Sequence, residues 1–154
     1  MAKSSLPGAG ECNCLAVRQA ARHITQFYDQ LLAPSGLRTT QFSILARLRH
    51  LGPMTINALA AQLVMDRTTL GRNILPLERD GLIAVEPGRR DKRSKTVCLT
   101  GAGAARLRTA SNAWVRAQRQ FETAFGAERT AAMRDLLHAV AATDLAADIA
   151  RVEG

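Results

Sequence analysis

Asp66-Arg67-Thr68-Thr69-Leu70-Gly71-Arg72-Asn73 opens a segment that closes at Arg79-Asp80-Gly81. Two short apolar runs follow, Ile83-Ala84-Val85-Glu86 and Lys95-Thr96-Val97-Cys98-Leu99, separated by Gly88-Arg89-Arg90-Asp91-Lys92-Arg93-Ser94. Asp66 predicts an N-cap, because its carboxylate accepts from free N–H groups and faces the positive end of the helix dipole. Gly81 predicts the stop. The two runs predict a β-hairpin with a cationic tip. A helix with small polar, Arg and Asn side chains on its first turns can read a major groove, and a neighbouring cationic hairpin can grip the flanking backbone. Just upstream, Thr55 predicts a cap on a short helix, Ile56 to Leu63, with Val64-Met65 as the turn. Helix, turn, helix, hairpin is the order of a winged helix-turn-helix.

Outward from this unit the chain is helical. From about Cys12, Val17, Ala20, Ile24, Phe27, Tyr28, Leu31 and Leu32 recur at three and four residues, until Pro34-Ser35-Gly36 ends the pattern. Thr39 is the expected cap of a helix carrying Phe42, Leu45 and Leu48, which Gly52-Pro53 stops. Pro76 lacks a backbone N–H and is expected to bend the second half of its helix. Thr100 predicts a cap on a long helix, Gly101 to Phe125, with Leu107, Trp114, Phe121 and Phe125 on one stripe. A last helix, about Glu128 to Val152, carries Met133, Leu136, Leu137, Val140, Leu145 and Ile149.

The expected fold is therefore mainly α: a winged helix-turn-helix with a two-stranded hairpin wing, and terminal helices forming a dimerisation region. Residues 1–11 are expected to be a disordered arm, 12–36 and 101–154 the helical dimerisation region, and 37–100 the DNA-binding domain. The terminal helices carry more apolar surface than one small domain covers. A partner subunit is the economical cover, and a two-fold dimer presents two reading helices to an inverted-repeat operator in double-stranded DNA, with half-sites about 10 bp apart.

Composition agrees with a polyanionic partner. The chain has 154 residues, is 47% hydrophobic and carries a net charge of +8. The charge is uneven: residues 66–100 hold eight Lys/Arg against five Asp/Glu, and residues 101–154 hold seven against six. The last third is thus a poor DNA surface. No apolar run approaches the roughly 20 residues that span a bilayer, and the N-terminus lacks a signal-peptide core. A cytoplasmic protein with no membrane contact is expected. Three cysteines in a reducing compartment do not make a disulfide framework. No phosphate-cradling glycine loop, Ser/His/Asp set or carboxylate pair is visible, so neither an enzyme nor a cofactor is expected. Cys12-x-Cys14 with His23 is not a ligand spacing, and His50 and His138 stand alone, so no metal is expected.

Leu70-x-x-x-Ile74-x-Pro76-Leu77-Glu78-Arg79-Asp80-Gly81-Leu82-Ile83, then Asp91-x-Arg93-Ser94, then Leu99-Thr100-x-x-Gly103, resemble the signature of MarR-family regulators. Leu37-Arg38-Thr39-Thr40-Gln41-Phe42-x-x-Leu45 resembles that family's second helix. The likeness covers residues 12 to about 150. It implies a homodimeric winged-helix transcription factor, usually a repressor, released from DNA by a small and often aromatic ligand or by an oxidant.

Thr68, Thr69, Arg72 and Asn73 are the base-reading candidates, with Arg72 suited to guanine and Asn73 to adenine. Arg89, Arg90, Lys92 and Arg93 are the wing candidates for phosphate or the minor groove. Asp91 is expected to pair with Arg93 and stiffen the turn. In the family the Asp-x-Arg pair both organises the wing and touches DNA, which puts Arg90 ahead of Arg93 for direct contact. Arg18, Arg22, His23, Phe42 and Trp114 are the candidate lining of a ligand pocket between the first, second and fifth helices. Cys14 stands where the hydroperoxide-sensing branch of the family has a reactive cysteine. Tyr28 matches the later of that branch's two flanking tyrosines, and Arg18 replaces the earlier one. Thiol-based redox sensing at Cys14 is the alternative to ligand release, and a non-specific architectural DNA-binding protein is the third reading.

Overall fold

A computed structural model describes residue 8 and residues 10–145. The elements are α1 (Asn13–Leu32), a single 3-10 turn (Ala33–Ser35), α2 (Thr39–Leu51), β1 (Met54–Thr55), α3 (Ile56–Leu63), α4 (Arg67–Arg79), β2 (Ile83–Pro87), β3 (Lys95–Leu99), α5 (Gly101–Phe125) and α6 (Ala127–Ala142). Three of the expected caps form. The side chains of Thr55, Asp66 and Thr100 accept from the backbone N–H groups of Ala58, Thr69 and Gly103, at 3.1, 2.7 and 3.0 Å. Each satisfies a donor that the helix itself leaves unpaired.

Thr39 is not a cap. Arg38 holds that position and Thr39 is the first helical residue. Asp29 of α1 takes both the N–H and the hydroxyl of Thr39, each at 2.7 Å on the same carboxylate oxygen. The cap of α2 is thus supplied from α1, ten residues earlier.

The sheet is three-stranded and antiparallel, in the order β1-β3-β2. The sequence predicts the hairpin but not the third strand. Met54 pairs with Val97 and Thr55 with Thr96. Two residues are too few to show a period. Gly52, with φ 81°, ends α2, and the chain stays extended past Pro53 until Thr55 starts α3. α4 continues through Pro76 to Arg79. Proline there leaves the Arg72 carbonyl without its usual donor four residues on.

The core gathers around α2. Ile44, Leu45 and Leu48 pack with Leu32, Leu37, Leu59, Leu70, Ile74, Leu77, Leu82, Ile83, Val97 and Leu107. Most of these are below 5% exposed, so each contributes about 1.5–3 kcal/mol of burial. Phe42 belongs to this core and stacks on Trp114 of α5, ring centroids 5.9 Å apart at 15°.

Thr100 joins three elements. Its hydroxyl donates to the Gly81 carbonyl at 2.6 Å while capping α5, and its N–H donates to the Leu82 carbonyl at 3.2 Å. The end of α4, the start of β2 and the start of α5 are tied at one point. α6 stops at Ala142, short of the expected end. Thr143 is extended, and its hydroxyl donates back to the Ala139 carbonyl at 2.8 Å. Residues 146–152 of the expected helix, with Ile149, fall outside the described residues, as does most of the expected N-terminal arm.

Candidate nucleic-acid interface

Helix α4 is fixed at its start and along one side. Asp66 accepts the Thr69 N–H on one oxygen and the Thr69 hydroxyl on the other, both at 2.7 Å. The backbone bond first, then the hydroxyl bond, hold the Asp66 carboxyl below its ordinary pKa. A depressed carboxyl contributes its cap above the ordinary pKa and loses it as pH falls through the lowered one. The inner side is Leu70, Ile74 and Leu77, all buried.

At about 100° per residue, this inner side places Thr68, Arg72, Leu75 and Arg79 directly outward. All four are exposed. Thr69, Asn73 and Pro76 fall on one flank. Arg67, Gly71 and Glu78 fall on the other. The four base-reading candidates therefore divide. Thr68 and Arg72 point outward. Thr69 is engaged by Asp66, and the Asn73 amide donates to the Thr69 carbonyl at 2.8 Å. Arg72 and Asn73 open on a concavity with Arg38, Thr40, Gln41 and Asp29.

The wing is a tight turn with its charges outside. The Gly88 N–H donates to the Ser94 carbonyl at 2.7 Å. A Cβ at Gly88 would stand 2.1 Å from Ser94 Oγ and 2.6 Å from the Asp91 carbonyl oxygen, so the turn closes only around glycine. Asp91 stiffens it, but not through an ion pair. Its carboxylate accepts the backbone N–H of Arg93 at 2.9 Å, and its carbonyl accepts the Ser94 hydroxyl at 2.7 Å. Among the described residues the ion pairs are Arg79 with Asp80 and Arg134 with Glu122, so the expected Asp91–Arg93 pair is replaced by a side chain-to-backbone bond.

Arg89, Arg90, Lys92 and Arg93 are all exposed. Arg89 and Arg90 border the outer side of the sheet with Glu86, Thr96 and Cys98. Burial, then Glu86, push the Cys98 thiol pKa up, against the pull of Arg89. Arg93 lies on the other side with Lys95 and Arg67, facing the starts of α3 and α4. Arg67, Lys95 and Arg38 are cations that lie within the sequence motifs but are not among the expected contacts. Arg67 directly follows the Asp66 cap, and Lys95 directly follows the wing, so position next to a recognised motif is the available signal.

The five candidate ligand residues do not gather. His23 lines a groove of about 400 Å³ between α1 and α5, with Ile24, Phe27, Phe121, Ala124 and Phe125 and three glutamines. Phe42, in the core, stacks on the partly exposed Trp114. Arg18 and Arg22 are exposed on α1 and border no part of this groove. Cys14 is exposed on the first turn of α1, where Cys12 is the N-cap and its sulfur accepts the Leu15 N–H at 3.4 Å. Tyr28 lies fourteen residues along the same helix, a rise of about 21 Å. It is buried and its hydroxyl donates to Gln118 Oε1. Cys14 and Tyr28 of one chain therefore cannot touch. Among the described residues no group of three His, Cys, Asp or Glu is placed to hold a metal, and no helix is long and apolar enough to cross a membrane.

The MarR family model matches residues 37–95, from just before α2 to the start of β3. The fold also superposes on the transcriptional regulator MosR of M. tuberculosis in complex with DNA, with a TM-score of 0.75 and 39% identity, over 88% of this chain and 100% of that one. The chain belongs to the MarR family. Two curated relatives agree over a shorter span. The HTH-type transcriptional regulator YwoH of Bacillus subtilis is 38% identical over 84 residues, 54% of this chain and 61% of that protein. The transcriptional activatory protein BadR of Rhodopseudomonas palustris is 33% identical over 88 residues, 55% of this chain and 50% of that protein. The matched segments thus span about half to three-fifths of these two relatives. The MarR family is one of transcriptional regulators, and its winged helix is the unit described above.

Proposed function

We propose that this MarR-family chain is a homodimeric repressor that grips an inverted-repeat operator with α4 and the wing and releases it on binding a small aromatic acid. One observation carries the DNA reading. Thr68 and Arg72 stand exposed on the side of α4 opposite its buried residues, and the wing, which meets the start of α4 at Arg67, holds its cations outside a turn locked by Gly88, Asp91 and Ser94. Residues 37–100 form the DNA-binding unit and the terminal helices the dimerisation region. Leu15 and Val17 of α1, Val115 of α5, and Leu136, Leu137 and Val140 of α6 support that division, with Leu136 68% and Val140 55% exposed. Such residues on three neighbouring helices call for a partner surface. The groove between α1 and α5 suits the ligand: an apolar wall of phenylalanines with His23 at its edge to meet a carboxylate. The site of action is the cytoplasm.

Anisotropy titration on the DNA upstream of the protein's own gene tests this reading. Specific binding that a small aromatic carboxylate reverses supports it. Release by peroxide, restored by dithiothreitol, replaces the ligand with Cys14 as the trigger. Equal affinity for unrelated duplexes with a steep salt slope replaces the repressor with an architectural protein. A reporter silenced by the protein supports repression, and one activated by it reverses the sign.

Arg90→Ala is expected to weaken specific and non-specific DNA alike and to lower the salt slope by about one unit for each phosphate it no longer neutralises. Loss of discrimination at a single base position would instead make Arg90 a reader of sequence. Leu136→Arg with Val140→Arg is expected to yield a folded monomer by sedimentation, with operator affinity reduced at least about 100-fold because one half-site remains. A dimer that survives both changes would place the subunit interface elsewhere.

A further inference from the structure

Gly103, in the first turn of α5, and Gly71, inside α4, have opposite surroundings. A Cβ at Gly103 would stand 2.0 Å from the Leu82 carbonyl oxygen, so the fold itself demands glycine there. At Gly71 nothing lies within 4 Å of the place a Cβ would take, and its φ is not positive. Glycine within a helix loses more conformational freedom on folding than alanine and exposes more backbone. No contact in the described protein offsets that cost.

What does bear on Gly71 is its place. It lies on the flank of α4 that also carries Arg67, one turn earlier. Arg67, Arg93 and Lys95 line the concavity between the starts of α3 and α4 and the wing, with Asp91 as its carboxylate. That carboxylate already accepts the Arg93 N–H at 2.9 Å. Three cations against one engaged carboxylate suit a phosphodiester. A strand whose phosphate sits there and which continues along α4 meets this flank, where Gly71 follows Arg67 by one turn.

We infer that Gly71 is the point of closest approach between α4 and the DNA sugar–phosphate backbone, which continues into a seat formed by Arg67, Arg93 and Lys95. The inference rests on α4 being the reading helix. Glycine is kept for the partner rather than for the fold, and its absent side chain is the contact surface.

The test compares Gly71→Ala, Gly71→Leu, Arg67→Ala and Arg72→Ala on a duplex that the wild-type protein has selected from a randomised pool. Anisotropy is recorded over a range of salt concentrations, and thermal unfolding is followed without DNA. Gly71→Ala is expected to raise the Tm of the free protein and to weaken DNA binding about tenfold, since one methyl intrudes on a close contact. Gly71→Leu is expected to weaken it further. Both lose affinity equally at every salt concentration, because no charge is removed, whereas Arg67→Ala lowers the salt slope. Wild-type affinity in Gly71→Leu overturns the inference. So does a lowered Tm in Gly71→Ala, which would mean that the protein needs the glycine for itself. If Arg72→Ala also binds normally, it is the reading-helix assignment that has failed; if Arg72→Ala abolishes binding while Gly71→Leu does not, only the role of Gly71 has.

Discussion

Arg72→Ala is expected to abolish specific operator binding while leaving a folded dimer. Arg72 stands directly opposite Leu70, Ile74 and Leu77 on α4, so its side chain adds nothing to the core. It has no ion-pair partner among the described residues, where the pairs are Arg79 with Asp80 and Arg134 with Glu122. Its guanidinium is therefore free to take a guanine edge in bidentate fashion, at about 1–3 kcal/mol of discrimination per base pair read. A symmetric dimer has two such arginines, together worth about 2–6 kcal/mol, which is about 30-fold to about 25,000-fold in affinity. Non-specific binding should fall far less, because the wing cations remain. An anisotropy titration of cognate against scrambled duplex checks both halves. Unchanged cognate affinity would remove α4 from the major groove and leave the wing to account for recognition.

The contrast between Arg72 and Asn73 shows how far sequence can go at such a site. Both lie on the first turns of a capped helix, and both side chains suit a base edge. Sequence alone does not separate them, because their difference is rotational: Arg72 points away from the buried side, and Asn73 lies on a flank and closes on the Thr69 carbonyl. Local chemistry is legible. Thr55, Asp66 and Thr100 cap the helices they precede, since an N-cap acts within three residues. Thr39 misleads because its partner, Asp29, belongs to another helix. β1 escapes notice because pairing between Met54 and Val97 spans most of the DNA-binding unit. Arg67 and Lys95 escape it for a related reason. They meet only when the wing folds back against the start of α4, and no spacing in the chain records that approach. The ligand residues disperse likewise: Phe42 belongs to the core and Trp114, 36% exposed, stacks on it from α5, while His23 faces a groove built with α5.

The largest expected loss of stability is at Gly103. A methyl group at this position would meet the Leu82 carbonyl oxygen at 2.0 Å and Leu99 Cδ1 at 2.8 Å. The oxygen belongs to backbone that cannot rotate away. Leu82 is itself 3% exposed, and its carbonyl also accepts the Thr100 N–H at 3.2 Å. Relief requires α5 to lift from the start of β2, which breaks the Thr100 bonds to Gly81 and Leu82 together. Overpacking of a tight contact costs about 1–3 kcal/mol, and the broken bonds add about 1 kcal/mol each. Gly103→Ala is therefore expected to lower stability by about 3–5 kcal/mol, a fall in Tm of about 6–20 °C for a chain of this size. The same substitution at Gly71 is expected to raise Tm, because alanine in an open helical position only restricts the unfolded chain. Opposite signs for one chemical change in two helices would separate a glycine held by the fold from one held for a partner. Thermal unfolding of the two variants side by side decides it. A Gly103→Ala protein as stable as the wild type would mean that α5 rides on the sheet more loosely than the Leu82 carbonyl contact allows, and the shared anchor at Thr100 would lose its meaning as the joint between the winged unit and the terminal helices.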